Sequence, residues 1–383
     1  MFGDPRWAKI IVQMDIPIRP NVLKMHPYLP GKPIEDVQRD LGLDHVIKLA
    51  SNENPLGPSP KAIEAIRAAA GDLQLYPDAA CHNLKRAISE KFGMETNQIM
   101  IGNGSDELIA LLAQVLIQDS EDEILAGSPS FVRYDACANL APCKMVHVPL
   151  DDNLKIDMQD ILTAITPRTR MIYLANPNNP TGTRFEKDEF DAFISKVSSS
   201  ICVILDEAYF EFSNDLEGSV DSAEYLSCYP NLVGLRTFSK AYGLAGIRLG
   251  YGWSSAELVD AVNRIRPPFN VNNLAQVGGI AALADDEHMK AGVAHNARER
   301  VRVAHFLQDM GLRVYESFAN FLLVDMAQPA EPLFESLLHK GVIVRSGKGL
   351  GLPTCLRISL GTVAENDQMI SALSSVIQPQ VQA

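Results

Sequence analysis

The segment RTFSKAYGLAGIRLGYG, residues 236–252, decides the fold of this chain because it joins a strand pattern, a reactive amine and a glycine-rich bend. Lys240 follows Ser239 directly, and Arg248 comes eight residues later. A lysine amine in such a setting can condense with an aldehyde, and the neighbouring hydroxyls and guanidinium suit a phosphate group. The segment therefore indicates a site for an aldehyde that also carries a phosphate.

The chain around this segment alternates helix and strand patterns from about residue 51. Short apolar runs such as MIYLA (171–175) and CVIL (202–205) are typical of parallel strands that are buried on both faces. This alternation predicts an α/β fold, with a mostly parallel, doubly wound sheet in a large domain at residues 51–268.

Two smaller units flank the predicted large domain. Residues 1–50 are rich in proline and predict an irregular N-terminal arm with one short helix near 34–41. Residues 269–383 predict a small C-terminal α+β domain, and the stretch 272–310 looks helical and suited to bridge the two domains.

Composition excludes several classes of function. The 383 residues carry a formal net charge of -13, which argues against broad binding to nucleic acid or to anionic membranes. No stretch approaches the length of a membrane span, and none of the six cysteines forms a CxxC pair. We predict a cytoplasmic protein with reduced thiols and without a metal site, because no histidine stands at ligand spacing.

Three further motifs follow predicted strands. IGNGSDEL (101–108) opens a helix, whose first free amides form an anion site. ANPNNPTG (175–182) leaves asparagines projecting, and Asn179 can donate to a phenolate oxygen. ILDEAYFEF (204–212) puts Asp206 at the end of an apolar strand, where a buried carboxylate needs a partner such as a protonated pyridine. Taken singly, each motif also suits an ordinary turn, a proline-rich loop or a structural ion pair.

Together, the four segments indicate one ligand site, because ligands of open α/β sheets bind beyond the carboxyl ends of the strands. They offer phosphate donors, a pyridinium partner, a phenolate partner and an aldehyde-binding amine. This is the set of groups that pyridoxal 5'-phosphate (PLP) needs.

The order NGSDE, ANPNNPTG, DEAY, TFSKAYGLAGIRLG and LRISLGT resembles the PLP-dependent aminotransferases of class I/II, which have the aspartate aminotransferase fold, the PLP-dependent transferase fold type I. Within them, HPYLPGK (26–32), LASNENPLGPSP (49–60) and GLGLPTCLRISLGT (349–362) are most similar to the histidinol-phosphate aminotransferase subfamily. The resemblance runs from about residue 18 to the end of the chain.

The resemblance implies a role in cofactor binding for each of several residues. Lys240 would bond the aldehyde and later move a proton between Cα and C4′, while Asp206 would pair with the pyridine nitrogen. Tyr209 and Asn179 would hold the 3′ oxygen, and Phe131 would stack on the ring, unless it is only a core aromatic. The residues implied at the cofactor phosphate are Gly104, Ser105, Asp106, Thr237, Ser239, Arg248 and, from the partner subunit of a homodimer, Tyr76. The alternative for Tyr76 is an ordinary half-buried tyrosine.

The resemblance also implies the substrates. The amino group of L-glutamate would pass to imidazole acetol phosphate, giving L-histidinol phosphate and 2-oxoglutarate in L-histidine biosynthesis. Arg357 would bind the carboxylate and then the phosphate, unless it only forms a surface ion pair, and Arg345 and Tyr28 are further candidates at the substrate phosphate. Three alternatives stay open: an aromatic amino-acid aminotransferase, a PLP-dependent threonine-phosphate decarboxylase, and a PLP-fold module kept for binding or regulation.

Overall fold

The computed structural model describes residues 16–25 and 31–377. Its strands, in chain order, are β1 (Ile47–Lys48), β2 (Ile99–Gly102), β3 (Glu123–Ser128), β4 (Lys144–Pro149), β5 (Thr169–Ala175), β6 (Cys202–Asp206), β7 (Leu232–Thr237), β8 (Gly250–Trp253), β9 (Arg313–Val314), β10 (Phe321–Asp325), β11 (Val342–Ile343), β12 (Arg345–Ser346) and β13 (Cys355–Ser359). Its α-helices are α1 (Pro20–Leu23), α2 (Ile34–Leu41), α3 (Pro60–Ala69), α4 (His82–Phe92), α5 (Ser105–Leu116), α6 (Arg133–Leu140), α7 (Met158–Ala164), α8 (Lys187–Ile194), α9 (Ala256–Ile265), α10 (Asn273–Leu283), α11 (Asp286–Asp309), α12 (Ala330–His339) and α13 (Val363–Ile377).

The larger sheet has seven strands in the order β2-β8-β7-β6-β5-β3-β4. Strand β8 is antiparallel to both of its neighbours, and the other pairs are parallel. Alternate residues of β5 face opposite layers: Met171 and Tyr173 pack in the core with α5 and α6, whereas Ile172 and Leu174 pack in the core with α8. Helices on both faces explain why these strands are continuous apolar runs, and they confirm the predicted doubly wound α/β fold.

The carboxyl ends of four strands meet at one edge of this sheet. Ala175 pairs with Asp206 where β5 and β6 end, and Thr237 and Gly102 both pair with Gly250, the first residue of β8. The four motifs singled out in the sequence therefore come together at this edge, as expected for a ligand site in such a sheet.

The C-terminal part of the chain forms a separate antiparallel sheet in the order β12-β13-β10-β9, packed with α12 and α13. The short strand β1 pairs in parallel with β11, and Ile47 and Leu49 join this second core. Helix α2 confirms the short helix predicted near 34–41. The end of the predicted arm is thus built into the smaller unit, whereas the domain boundaries stay predictions.

The stretch 272–310, which the sequence suggests is one helical region, is two helices that break at Ala284 and Asp285. The Asp285 carboxylate accepts a hydrogen bond from the Ser59 hydroxyl and lies 3.3 Å from the Lys61 ammonium, both at the start of α3. These contacts hold Asp285 outside the helical conformation, so α11 begins after it. Helix α11 then contacts both units, as its bridging role requires.

No helix within residues 16–25 and 31–377 is long and apolar enough to cross a bilayer.

Candidate active site

A cavity of about 420 Å³ lies at the carboxyl edge of the seven-stranded sheet, facing β13 of the smaller sheet. Its walls bring together most of the residues that the sequence singled out. The predicted site residues on these walls are Ser105, Asp106, Phe131, Asn179, Asp206, Tyr209, Thr237, Ser239, Lys240, Arg248 and Arg357.

Lys240 supplies the amine of the cavity. Its Nζ donates a hydrogen bond to the backbone oxygen of Ser51 at 3.2 Å. Burial, followed by repulsion from Arg357, lowers the pKa of the Lys240 ammonium to about 8. The turn after Lys240 needs Gly243, because that residue has a positive φ of 67° and an added Cβ would lie 2.2 Å from the Gly57 oxygen. The fold thus presents an amine that is partly neutral near neutral pH.

Asp206 is the acidic group of the cavity, and it is buried at the end of β6. Burial raises its pKa to about 6, although hydrogen bonds from the Tyr134 hydroxyl at 2.8 Å and the Ala208 amide at 3.2 Å favour the ionised form. The Tyr134 ring stacks on Tyr173 with centroids 4.3 Å apart. The carboxylate is therefore ionised at neutral pH and held in a fixed orientation.

Sequence reasoning missed Tyr134, although it lies three residues after Phe131 in the motif SPSFVRY. Phe131 lines the cavity and meets the Tyr134 ring edge-on, with centroids 5.8 Å apart. It also packs against the core around α5, so both of its predicted surroundings, cavity and core, are present.

The Tyr209 hydroxyl is tied to the smaller sheet through Asn52, which the sequence analysis gave no role. Asn52 Nδ2 donates to the Tyr209 hydroxyl at 2.8 Å, and Asn52 Oδ1 accepts from Ser359 Oγ at 2.8 Å. The Asn52 backbone has a positive φ of 56° and donates to Ser359 Oγ at 2.8 Å. The only sequence signal for this residue is its place in LASNENPLGPSP.

The opposite end of the cavity lies at the start of α5, where free helix amides can bind an anion. Gly104 precedes the helix with φ 77°, and no side chain caps the first-turn amides. A Cβ added to Gly104 would lie 2.6 Å from Arg248 Nη2, and a Cβ added to Gly250 would lie 2.1 Å from the Ser105 amide nitrogen. Both glycines therefore allow the guanidinium and the helix terminus to approach each other, with the Ser239 and Thr237 hydroxyls beside them.

Arg357 reaches the cavity from β13. Its Nη1 donates to Asn179 Oδ1 at 2.5 Å, and its Nη2 donates to the Ala50 oxygen at 2.7 Å. The buried guanidinium thus joins the smaller sheet to the loop that carries Asn179. Arg345 pairs with Arg357 in the antiparallel register, but it does not line the cavity.

Besides Arg345, two other predicted residues that the structure describes, Gly104 and Tyr76, lie apart from the cavity walls. Gly104 approaches Arg248 without lining the cavity. Tyr76 is 82% exposed and stacks on Phe269 with ring centroids 4.7 Å apart. Tyr28 falls outside the described residues.

Comparison with known proteins agrees with this geometry. Residues 44–373 match the family model "Aminotransferase class I and II". The chain is 42% identical to a histidinol-phosphate aminotransferase of Moorella thermoacetica, over 94% of this chain and 92% of that protein. It is 44% identical to histidinol-phosphate aminotransferase 2 of Pasteurella multocida, over 94% and 98% of the two chains.

Solved structures give the same result. The crystal structure of histidinol-phosphate aminotransferase from Sinorhizobium meliloti in complex with pyridoxal-5'-phosphate matches with a TM-score of 0.88 at 29% identity, over 96% of this chain and 99% of that one. The aspartate aminotransferase of Thermus thermophilus shares the fold, with a TM-score of 0.81 at 22% identity over 94% and 100% of the two chains. This chain belongs to the class I and II aminotransferase family.

Proposed function

We propose that this chain is a PLP-dependent aminotransferase that moves the amino group of L-glutamate to imidazole acetol phosphate, giving L-histidinol phosphate and 2-oxoglutarate. The observation that carries the proposal is the shared cavity. It joins the Lys240 amine, the Asp206 carboxylate, the anion site at α5 and the Arg357 guanidinium. The names of the relatives point to histidinol phosphate, and the family resemblance of the sequence implies L-glutamate, imidazole acetol phosphate and a place in histidine biosynthesis.

The residues of the cavity fit PLP. Its volume of about 420 Å³ falls in the range of cofactor pockets. The uncapped start of α5, the two hydroxyls and Arg248 match a dianionic phosphate, and Gly104 and Gly250 let these groups pack closely together. The Asp206 carboxylate suits a protonated ring nitrogen, and Phe131 offers an aromatic face.

When bound, PLP supplies an aldehyde that bonds an amine and a ring that accepts electron density from the substrate's Cα. Lys240 would hold that aldehyde through its amine and, as a free amine, would take the proton from Cα. Its pKa of about 8 suits both tasks, because a useful fraction of the amine is neutral near neutral pH. Asp206 keeps a proton on the ring nitrogen, since the ionised carboxylate pairs with the protonated form.

The 3′ oxygen is held by Tyr209 and Asn179. Asn52 orients the Tyr209 hydroxyl through the 2.8 Å hydrogen bond. Because Asn179 Oδ1 accepts from Arg357, its Nδ2 is turned into a position to donate. Arg357 binds the substrate carboxylate and then the substrate phosphate, since either anion presents two oxygens to the guanidinium fork. Arg345 and Tyr28 stay proposed contacts to the substrate phosphate.

We place the reaction in a cytoplasmic homodimer in which Tyr76 serves the cofactor phosphate of the partner subunit. The 82% exposure of Tyr76, and its absence from the cavity walls of its own chain, support a task in another subunit. All six cysteines are free thiols, which supports a reducing compartment.

A rate comparison with the purified protein tests the proposal. We expect transamination of imidazole acetol phosphate by L-glutamate to exceed that of phenylpyruvate, and threonine phosphate to release no carbon dioxide. Faster turnover of phenylpyruvate would replace the proposal with an aromatic amino-acid aminotransferase. Decarboxylation of threonine phosphate would replace it with a lyase.

A further inference from the structure

A second cavity of about 190 Å³ lies between the two sheets, away from the residues of the active site. One wall comes from the large unit, with Lys155, Arg184 and Glu186. The other comes from β9 and the loop after it, with Arg313 and Glu316. None of these five residues lines the active-site cavity.

Three cations and two carboxylates line this cavity, and Arg184 is the buried cation among them. Arg184 is only 7% exposed, and it donates to Glu186 Oε2 at 3.1 Å and to Ser219 Oγ at 2.9 Å. Its Nε is buried and has no hydrogen-bond partner among the residues that the structure describes. A buried guanidinium nitrogen without an acceptor is costly, so Arg184 carries positive charge that its protein neighbours do not fully satisfy.

A second arginine adds to the local charge, although it does not line the cavity. Arg300 of α11 has a buried Nη1 that likewise lacks a hydrogen-bond partner within the described ranges. Burial lowers the pKa of Arg300, and repulsion from Arg184 lowers it further, against an opposing attraction to Glu316. Two neighbouring guanidinium groups, each with an unmatched nitrogen, stand in a chain whose net charge is -13. Glu316 already offsets this repulsion at Arg300, and an added anion would act in the same direction on Arg184.

The rim supplies cations that remain accessible. Arg313 is exposed, stacks over the Tyr315 ring at 4.6 Å and donates to the Asp152 oxygen at 3.1 Å. Lys155 lies 3.7 Å from the Glu189 carboxylate, which leaves its ammonium only loosely paired. Both side chains therefore keep donors for a ligand that enters from solvent.

We propose that this cavity is a second anion site, which binds a small multiply charged oxyanion of the size of phosphate or of a short dicarboxylate. A volume of about 190 Å³ equals that of about six water molecules, so it holds an ion of roughly five to eight heavy atoms.

Such an ion would bind the two units together next to the active site. The Phe318 amide donates to the Gly182 oxygen at 2.8 Å, and a Cβ on Gly182 would lie 2.3 Å from Ser317 Oγ. Gly182 ends the ANPNNPTG loop, three residues after Asn179. Occupancy of the second cavity therefore stabilises the contact between the smaller sheet and the loop that carries Asn179.

Equilibrium dialysis of the holoenzyme against radiolabelled inorganic phosphate and, separately, radiolabelled succinate tests the proposal at constant ionic strength. We expect saturable binding of at least one of them, with the tighter ligand identifying the preferred chemistry. Arg313→Gln should weaken it about tenfold or more, because a hydrogen bond between charged groups is lost. Lys155→Gln should act in the same direction, and it repeats the test at an independent position.

Two further variants separate this site from others. Arg264→Gln removes an exposed arginine of α9 that pairs with Asp260, and it should bind as the wild type does. Arg357→Gln removes the cation of the active site, and binding at the second cavity should survive it. Loss of all binding in Arg357→Gln would assign the anion to the active site. Wild-type affinity in both Arg313→Gln and Lys155→Gln, or no saturable binding to the wild type, would also overturn the proposal.

Discussion

The hydrogen bond from Tyr134 to Asp206 sets the pH range in which the cofactor ring can be held. Burial alone pushes the pKa of Asp206 upward, and the Tyr134 hydroxyl at 2.8 Å opposes that shift and leaves the value at about 6. A hydrogen bond to a charged group is worth about 1.5–3 kcal/mol, which corresponds to about 1–2 pKa units. We therefore expect Tyr134→Phe to raise the pKa of Asp206 to between about 7 and about 8.

The direction of the pH effect follows from the pairing. A protonated ring nitrogen needs the ionised carboxylate, so cofactor affinity is high above the pKa of Asp206 and falls as pH falls through it. In the wild type this loss occurs through about 6, and in Tyr134→Phe it should occur at a higher pH. At neutral pH the variant should already bind the cofactor more weakly.

The assay is titration of the apoprotein with pyridoxamine phosphate at a series of pH values, followed by tryptophan fluorescence. This analogue has no aldehyde, so it does not bond Lys240, whose own pKa of about 8 would otherwise enter the profile. The matched control is Tyr173→Phe. It removes a buried hydroxyl from the same aromatic stack, but that hydroxyl donates to the Ile109 oxygen at 3.1 Å and not to Asp206. An unchanged midpoint in Tyr134→Phe, or an equal shift in Tyr173→Phe, refutes the reasoning.

Four further predictions concern single residues. Because Lys240 has a pKa of about 8, the rate at which the apoprotein bonds PLP should rise with pH and level off above pH 8. A rate, followed by stopped-flow absorbance, that does not change with pH around 8 would contradict this prediction. Arg357→Gln should lower kcat/KM for both L-glutamate and the phosphate substrate by the equivalent of about 2–5 kcal/mol. An effect on only one of the two substrates would exclude a shared anion site. Gly250→Ala should lose cofactor affinity because its Cβ would lie 2.1 Å from the first amide of α5, whereas Gly246→Ala, with no atom within 4 Å, should bind PLP normally in the same absorbance titration. Glu211 is buried, neither of its carboxylate oxygens has a hydrogen-bond partner in the described part of the chain, and burial raises its pKa from 4.5 to about 7. Protonated Glu211 contributes its full stability below the pKa of the unfolded state, and this contribution is lost as pH rises through the folded pKa of about 7. Glu211→Gln should therefore remove up to about 3 kcal/mol of the pH-dependent loss in the free energy of unfolding, measured with urea. An unchanged pH profile would show that Glu211 is ionised in the fold.

Local sequence predicted those parts of the site that are close together in the chain. Ser239, Lys240 and Arg248 lie on one short segment, and the strand before them ends in the turn that exposes them. The position of Asp206 could be predicted for a similar reason, because an apolar strand must end where a carboxylate begins. The rule that ligands bind at the carboxyl ends of parallel strands then brought the four segments together without knowledge of the register.

The hydrogen bonds that orient these groups and shift their pKa values were not predictable from sequence, because they join distant parts of the chain. Tyr134 lies 72 residues from Asp206, and Asn52 lies 157 residues from Tyr209. The local sequence around a tyrosine in a helix does not show whether its hydroxyl donates to a carboxylate or its ring only packs in the core. The helix break at Asp285 was missed for the same reason, since the contacts that hold it come from Ser59 and Lys61.

The active site depends on both units, and this division suits its chemistry. Lys240, Asp206 and the anion site all come from the seven-stranded sheet, so the cofactor can be held by one rigid framework. Arg357 comes from the smaller sheet and meets Asn179 across the cavity at 2.5 Å. A substrate anion that binds Arg357 must compete with Asn179 for the guanidinium, so substrate binding and the orientation of Asn179 are physically linked. Because Asn179 also faces the 3′ oxygen in the proposed mechanism, replacing the substrate carboxylate by a phosphate can alter the cofactor's surroundings without any movement of the larger sheet.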